Sequence, residues 1–383
     1  MKKVIPYGRQ SINNDDLKAI SKTIKSDYLT TGPEVKNFES KIKKFTKSKF
    51  VKVCNSGTSA LHVAFMSIHI NPGDIIIMPA INFIASFNLC KMMKAKIYLS
   101  DVDPYTGLMT PNNILNCIKK NNIKKIKAIV TMHLAGKSEN IKDFYNLKKK
   151  LKCFLIEDAC HAFGSEYKYD KKVFRIGCAK HVDLSTFSFH PIKSITTCEG
   201  GAITTNNKIL AKRVSLLVSH GLIRKNKLKH WDYDIKSPGY NFRLSDLHCA
   251  LGVSQIKRIS SFIKKRENIA KIYNFHFNKH KEIINVPKIN KLKCSWHLYI
   301  ASFKFKNLRV KDSFFKYLKK KGIIIQYHYI PIYKFTVAKG YKELPGSNKY
   351  YKNSASLPIF VDLNKKKQLK IIKTILNYFK KIN

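Results

Sequence analysis

Short apolar runs that end on small or polar residues and alternate with helical patterns constrain this chain most. They include "FVKVC" before "NSGTSALHVAFMSI", "DIIIMPA" before "NFIASFNLCKMM", and then "KIYLSDVD", "IKAIVTMHLAG" and "CFLIEDA". Near-continuous apolar strands alternating with helices fit a largely parallel sheet covered by helices on both faces, an α/β fold. "LSTFSF" and "GAITTNN" are β-rich and closely spaced, so at least one antiparallel strand is expected. "SDLHCALGVSQIKRISSFIKKRENIAKIYNFHF" reads as one long helical stretch leading out of the sheet. After it, "SWHLYIASFKF", "KGIIIQYHYIP" and "KKKQLKIIKTILNYFKK" describe a small α+β unit closed by an amphipathic helix. The expected division is a large domain over 1–255, then a linker helix and small C-terminal domain over 256–383.

Charge bears on partners. The 383 residues carry 73 basic and 24 acidic side chains, a net charge of +49. That balance suits a polyanion. Yet only eight of the basic residues are arginine, and the lysines run the whole length together with abundant Ile and Asn. A nucleic-acid reader leans on arginine forks and clusters its charge, so solvated lysine faces are the expectation and no nucleic-acid partner is. The surplus can still attract an anionic substrate. Nine cysteines form no CxxC pair and no zinc-like Cys/His spacing, so a reduced compartment is expected and no metal. "MKKVIPYGRQ" lacks an apolar h-region, and "DIIIMPAINFIASF", interrupted by Pro79 and Asn82, is too short to span a bilayer. A soluble cytoplasmic protein with no membrane partner is expected.

Reactive groups collect where parallel strands end. After "VKVC", the turn Asn55-Ser56-Gly57-Thr58-Ser59 opens an apolar helix and offers backbone N–H groups suited to a phosphate. Ser56, Thr58 and Ser59 serve equally as ordinary N-caps. Glu157 and Asp158 end another strand; a carboxylate there needs a cation, either a protonated ring nitrogen or a structural lysine. "STFSFHPIKSITTCEGGAIT" sets one amine, Lys193, among Ser188, Thr196, Thr197 and the pair Gly200-Gly201. Desolvation there lowers an amine's pKa and yields the neutral nucleophile that condenses with an aldehyde. Phe83 follows a strand end and can stack on a planar ring. His161 and His190 are acid/base or hydrogen-bonding groups, or satisfied structural histidines. A phosphate cradle, a carboxylate, a stacking ring and a set-apart lysine together describe a pyridoxal 5′-phosphate site.

At these residues the chain resembles the DegT/DnrJ/EryC1/StrS family of nucleotide-sugar aminotransferases. The resemblance runs from "IPYGRQSI" through "SDYLTTGP", "FSFHPIKSITTCEGGAI", "SHGL" and "QYHYIPIY" to "LPIFVDL". It implies the type I pyridoxal phosphate aminotransferase fold. By resemblance, Lys193 is the catalytic lysine that bonds the cofactor and carries the proton, and Asp158 the partner of the ring nitrogen. His161 takes the family's Gln or His place near the phenolic oxygen, Thr58, Ser59 and Ser188 bind the phosphate, and Phe83 stacks. Asn241 in "GYNFRLSDLHCALG" matches an asparagine that reaches the neighbouring subunit's phosphate, which implies a homodimer with shared sites. Tyr7, Arg9, Thr31, Trp296, His297, Tyr327 and His328 match substrate-facing segments. The implied reaction moves an amino group from L-glutamate to C4 of a UDP-linked 4-keto-6-deoxy amino sugar, in nonulosonic (pseudaminic) acid or related glycan biosynthesis. Aminotransfer to another keto nucleotide sugar, or a cofactor-retaining non-catalytic sugar-nucleotide binder, are the alternatives. One departure is visible: the family reads "TTGEGG" where this chain has Cys198, a strained choice if that position needs a positive φ.

Overall fold

Residues 4–224 and 231–382 are described in a computed structural model. The apolar runs become strands: β1 (Phe50–Cys54), β2 (Ile75–Pro79), β3 (Lys96–Ser100), β4 (Ala128–Met132), β5 (Phe154–Asp158), β6 (Glu166–Tyr169), β7 (Lys172–Arg175), β8 (Leu184–Ser188) and β9 (Gly201–Thr205). Seven of them form one sheet in the order β1-β9-β8-β5-β4-β2-β3. β9 runs antiparallel to both neighbours, and the other strands all point one way. β6 and β7 pair as a separate hairpin. Every residue of β4 and β9 is buried, which is why these segments show no polar alternation.

The helix Gly57–Ser67 is apolar nearly all round, because it lies between the sheet and the helix Lys208–Val218. Two further apolar clusters occupy the sheet's faces beside it. The expected long helix is two helices, Asp246–Lys257 and Ile259–Phe277, broken at Arg258, whose guanidinium turns away to pair with the buried carboxylate of Asp16. A separate core joins residues from Ile269 to Phe379, with the small sheet Ile284–Asn285, Tyr299–Phe303 and Ser354–Leu357. Ile5 also belongs to that core and bridges to Ile323.

Register sets the site. Cys54, Gly201 and Ser188 lie abreast, as do Met132, Asp158 and Thr186. The carboxyl ends of β1, β8, β5 and β4 therefore open on one edge, beside the N-terminus of the helix Gly57–Ser67. No helix among the described residues is long and apolar enough to cross a membrane.

Candidate active site

A cavity of about 350 Å³ sits on that edge. Of the residues singled out above, Tyr7, Thr58, Phe83, Asp158, His161, Ser188, Lys193, His297 and His328 line it together with His190. Thr58, Phe83, Asp158, His161, Ser188 and Lys193 are brought there by a strand end or the segment after it, and His297 by the turn just before the strand Tyr299–Phe303.

Ser56 caps the helix, its Oγ accepting from the Ser59 N–H at 3.0 Å. Ser59 lies behind the cavity wall and donates to Asn55 Oδ1 at 2.6 Å, so Thr58 is the hydroxyl at the mouth. Gly57 has no room for a side chain, since a Cβ there would stand 2.7 Å from Ser188 Cβ. Ser188 thus packs directly on the helix start, and hydroxyls and backbone N–H groups converge as an anion needs.

The two adjacent carboxylates separate by direction. Glu157 accepts from Ser185 Oγ at 2.7 Å and faces His133 Nε2 at 3.1 Å, which makes it a buried structural group. Asp158 is buried, accepts from the Cys160 N–H at 3.1 Å and lines the cavity. Lys193 is half-buried in the same wall. Desolvation lowers its pKa, opposed by the nearby Cys160 thiol and Asp158 carboxylate. The segment carrying it is pinned at its neck. Phe189 N–H donates to Gly200 O at 2.8 Å, and Thr197 N–H and Thr196 Oγ both reach Phe189 O. Thr196 and Thr197 are accordingly structural.

Histidines crowd the opposite wall. His161 and His297 have ring centroids 4.2 Å apart, and His328 stands 6.5 Å from His161. Burial holds all three neutral, with the Lys193 charge pushing the same way; His328 falls to about 3. His161 Nδ1 accepts from the Ala135 N–H at 3.4 Å, so its proton sits on Nε2 and is donated to Tyr329 Oη at 3.0 Å. The Tyr329 hydroxyl hydrogen is then free for the cavity. Tyr329 and Cys160 both line the site and neither was singled out; "EDACH" and "YHYIP" placed them beside chosen residues, but direction beyond a strand end has no sequence signal. Phe83, 48% exposed, lies at the rim against Tyr329.

The remaining residues lie elsewhere. Arg9, Thr31 and Asn241 are exposed and outside this cavity. Trp296 packs into the C-terminal core. Tyr327 turns away to stack on Phe315 at 4.1 Å, donates to Asp312 at 3.1 Å and sits 4.3 Å from the Lys311 ammonium. Cys198 does adopt a positive φ of 65° and is exposed. Its strain leaves the pinned neck of the lysine segment intact. Cys198→Gly is expected to raise stability by about 0.5–1 kcal/mol, read by urea unfolding, because the left-handed penalty exceeds the entropy of the added glycine.

Among the described residues no cluster of three or more His, Cys, Asp or Glu could hold a metal ion. The donor set fits a phosphorylated, aldehyde-bearing heterocycle: an anion cradle, a buried carboxylate for a ring N–H, an aromatic rim and an amine.

The model of the DegT/DnrJ/EryC1/StrS aminotransferase family matches residues 10–376. The chain is 35% identical, over 99% of its length and 98% of the other's, to a Campylobacter jejuni protein named UDP-4-amino-4,6-dideoxy-N-acetyl-beta-L-altrosamine transaminase. A Helicobacter pylori protein of the same name is 32% identical over 98% of each chain. Among solved structures, Helicobacter pylori PseC, described as an aminotransferase of pseudaminic acid biosynthesis, superposes with a TM-score of 0.91 at 30% identity, covering 99% of this chain and all of that one. The PLP form of a Streptococcus pneumoniae sugar aminotransferase superposes at 0.90 with 26% identity, over 99% and 100% of the two chains. With its site on the edge that the sheet order dictates, and with a match over nearly its whole length, the chain belongs to the DegT/DnrJ/EryC1/StrS aminotransferase family.

Proposed function

We propose that this protein is a cytoplasmic, pyridoxal 5′-phosphate-dependent aminotransferase that transfers an amino group from L-glutamate to C4 of a UDP-linked 4-keto-6-deoxy amino sugar, as in pseudaminic acid biosynthesis. The observation that carries the reading is Lys193 and Asp158 in one cavity with the Ser188-backed helix start. The names of the Campylobacter and Helicobacter relatives supply the sugar.

In this reading the helix start, Thr58 and Ser188 bind the phosphate, and Asp158 holds a proton on the ring nitrogen. When bound, the cofactor supplies the electron sink that makes the donor's α-proton acidic. Lys193 Nζ, its pKa lowered by desolvation, takes that proton and later returns one to the sugar carbon. Phe83 covers the ring, and His161 orients Tyr329. The division near residue 255 belongs to the same proposal, with Ile5 joining the C-terminal core. So do the substrate-facing roles of Arg9 and Thr31 and a homodimer, in which the exposed Asn241 reaches the partner's phosphate.

The test is incubation with cofactor, L-glutamate and a panel of UDP- and other nucleotide-linked 4-keto and 3-keto sugars, with the amino sugar identified by mass spectrometry and NMR. Amine at C4 of the UDP-linked 4-keto-6-deoxy acetamido sugar is expected. Amine at C3, or preference for another nucleotide, would replace the substrate; no product from any sugar would end the reading.

A further inference from the structure

Arg266, on the helix Ile259–Phe277, is only 2% exposed. Its Nη1 donates to three carbonyls, those of Trp296 at 3.3 Å, His297 at 3.2 Å and Ile359 at 3.2 Å. Its Nε is buried without a partner, and burial alone lowers its pKa to about 10. Among the described residues no carboxylate balances this charge. A buried cation held only by carbonyls is costly, and an apolar side chain would be the cheaper filler for a core.

What it holds reaches the cavity. Trp296 has a left-handed φ of 48°, a strained turn for a bulky residue, and the guanidinium grips the carbonyls on both sides of the peptide that follows. His297 comes next, lining the cavity with its ring against His161. Its Nδ1 is buried and has no hydrogen-bond partner among the described residues. An unpaired ring nitrogen in a cavity wall is a site awaiting a ligand group.

We propose that Arg266 is a positioning residue: it fixes the Trp296–His297 turn so that His297 offers its unpaired nitrogen to the acceptor sugar nucleotide. The inference rests on the proposed function for the identity of that substrate. The groups facing His297 are His161, Lys193, His328 and Arg266; the two histidines are neutral, and after burial the positive charges of Lys193 and Arg266 disfavour its protonation. Arg266 therefore also keeps the ring a neutral hydrogen-bonding partner.

The experiment uses the holoenzyme and Arg266→Met, which keeps length and apolar contact but removes charge and donors. The His297 ring, assigned by difference against His297→Gln in histidine-labelled protein, is followed by NMR from pH 8 to 5. In wild type no His297 titration is expected in this range, and in Arg266→Met its titration is expected to move up toward it, seen as the onset of protonation shifts at the acid end. KM for the keto sugar is expected to rise about tenfold, while the glutamate half-reaction, read from the visible band, stays within about twofold of wild type. Arg266→Lys, which restores the charge, returns the titration to its wild-type position. Equal slowing of both half-reactions, or an unmoved His297 titration, overturns the proposal. If Arg266→Met does not fold, His297→Gln decides it: an unchanged KM for the sugar leaves Arg266 nothing to position. A wild-type band indifferent to glutamate defeats the proposed function instead, and the His297 titration still judges Arg266.

Discussion

A Lys193→Ala protein is expected to bind cofactor through the phosphate cradle and yet transaminate on the order of 10⁴-fold more slowly than wild type. The size follows from two tasks resting on one amine. In the proposed mechanism it bonds the cofactor's aldehyde, and it moves the proton between two carbons in each half of the reaction. Two close neighbours are poor substitutes. His161, His297 and His328 are neutral, but His161 spends both nitrogens on Ala135 and Tyr329, and the Cys160 thiol is pushed well up by burial and by Asp158. The measurement is single-turnover decay of the visible band on adding glutamate. Partial recovery with a small exogenous amine, which can enter the space the side chain leaves, is expected as well. A variant within about tenfold of wild type would place the proton transfer on another group and undo the assignment.

The second large effect is acid sensitivity of the fold. His161, His297 and His328 are neutral when buried and take up protons once the chain unfolds, so the unfolded state binds more protons as pH falls. Stability is fully present above the ordinary histidine value near 6.5 and is lost progressively below it, toward folded values far lower. With three such rings, unfolding free energy at pH 5.5 should lie about 4 kcal/mol below that at pH 8. His62, His181 and His248 shift in the same direction and add to it. Most carboxylates titrate lower still, but Lys311, lowered by burial to about 7, protonates in the same window and adds to the loss. Urea unfolding at the two pH values is the check. A difference under about 1 kcal/mol would mean that the rings are solvated and protonate without unfolding.

The sheet was readable because its central strands β2 and β4 are buried on both faces and therefore largely apolar. "GAITT" disclosed its reversed direction only through closeness to "LSTFS". The edge of the sheet followed, and with it Thr58, Asp158, Ser188 and Lys193, since residues just past a strand end have little freedom in where they stand. Reading failed farther from the strands. Tyr327 and His328 are neighbours, yet one turns to Lys311 and Phe315 and the other to the cavity, a choice made by packing on a different helix. Trp296 and His297 divide in the same way between the C-terminal core and the site. Arg266 was invisible because its partners are main-chain carbonyls, which carry no residue identity.

The bridge between Ile5 and Ile323 bears on how the protein is made. Tyr7, two residues on, accepts from the Ile359 N–H at 3.0 Å through its carbonyl and puts its ring 5.6 Å from His328. The earliest-synthesised wall of the pocket thus leans on segments that leave the ribosome among the last. A nascent chain halted near residue 300 has the strands of the whole seven-stranded sheet and still lacks His328 and Tyr329, so the pocket wall is completed only when that later segment emerges.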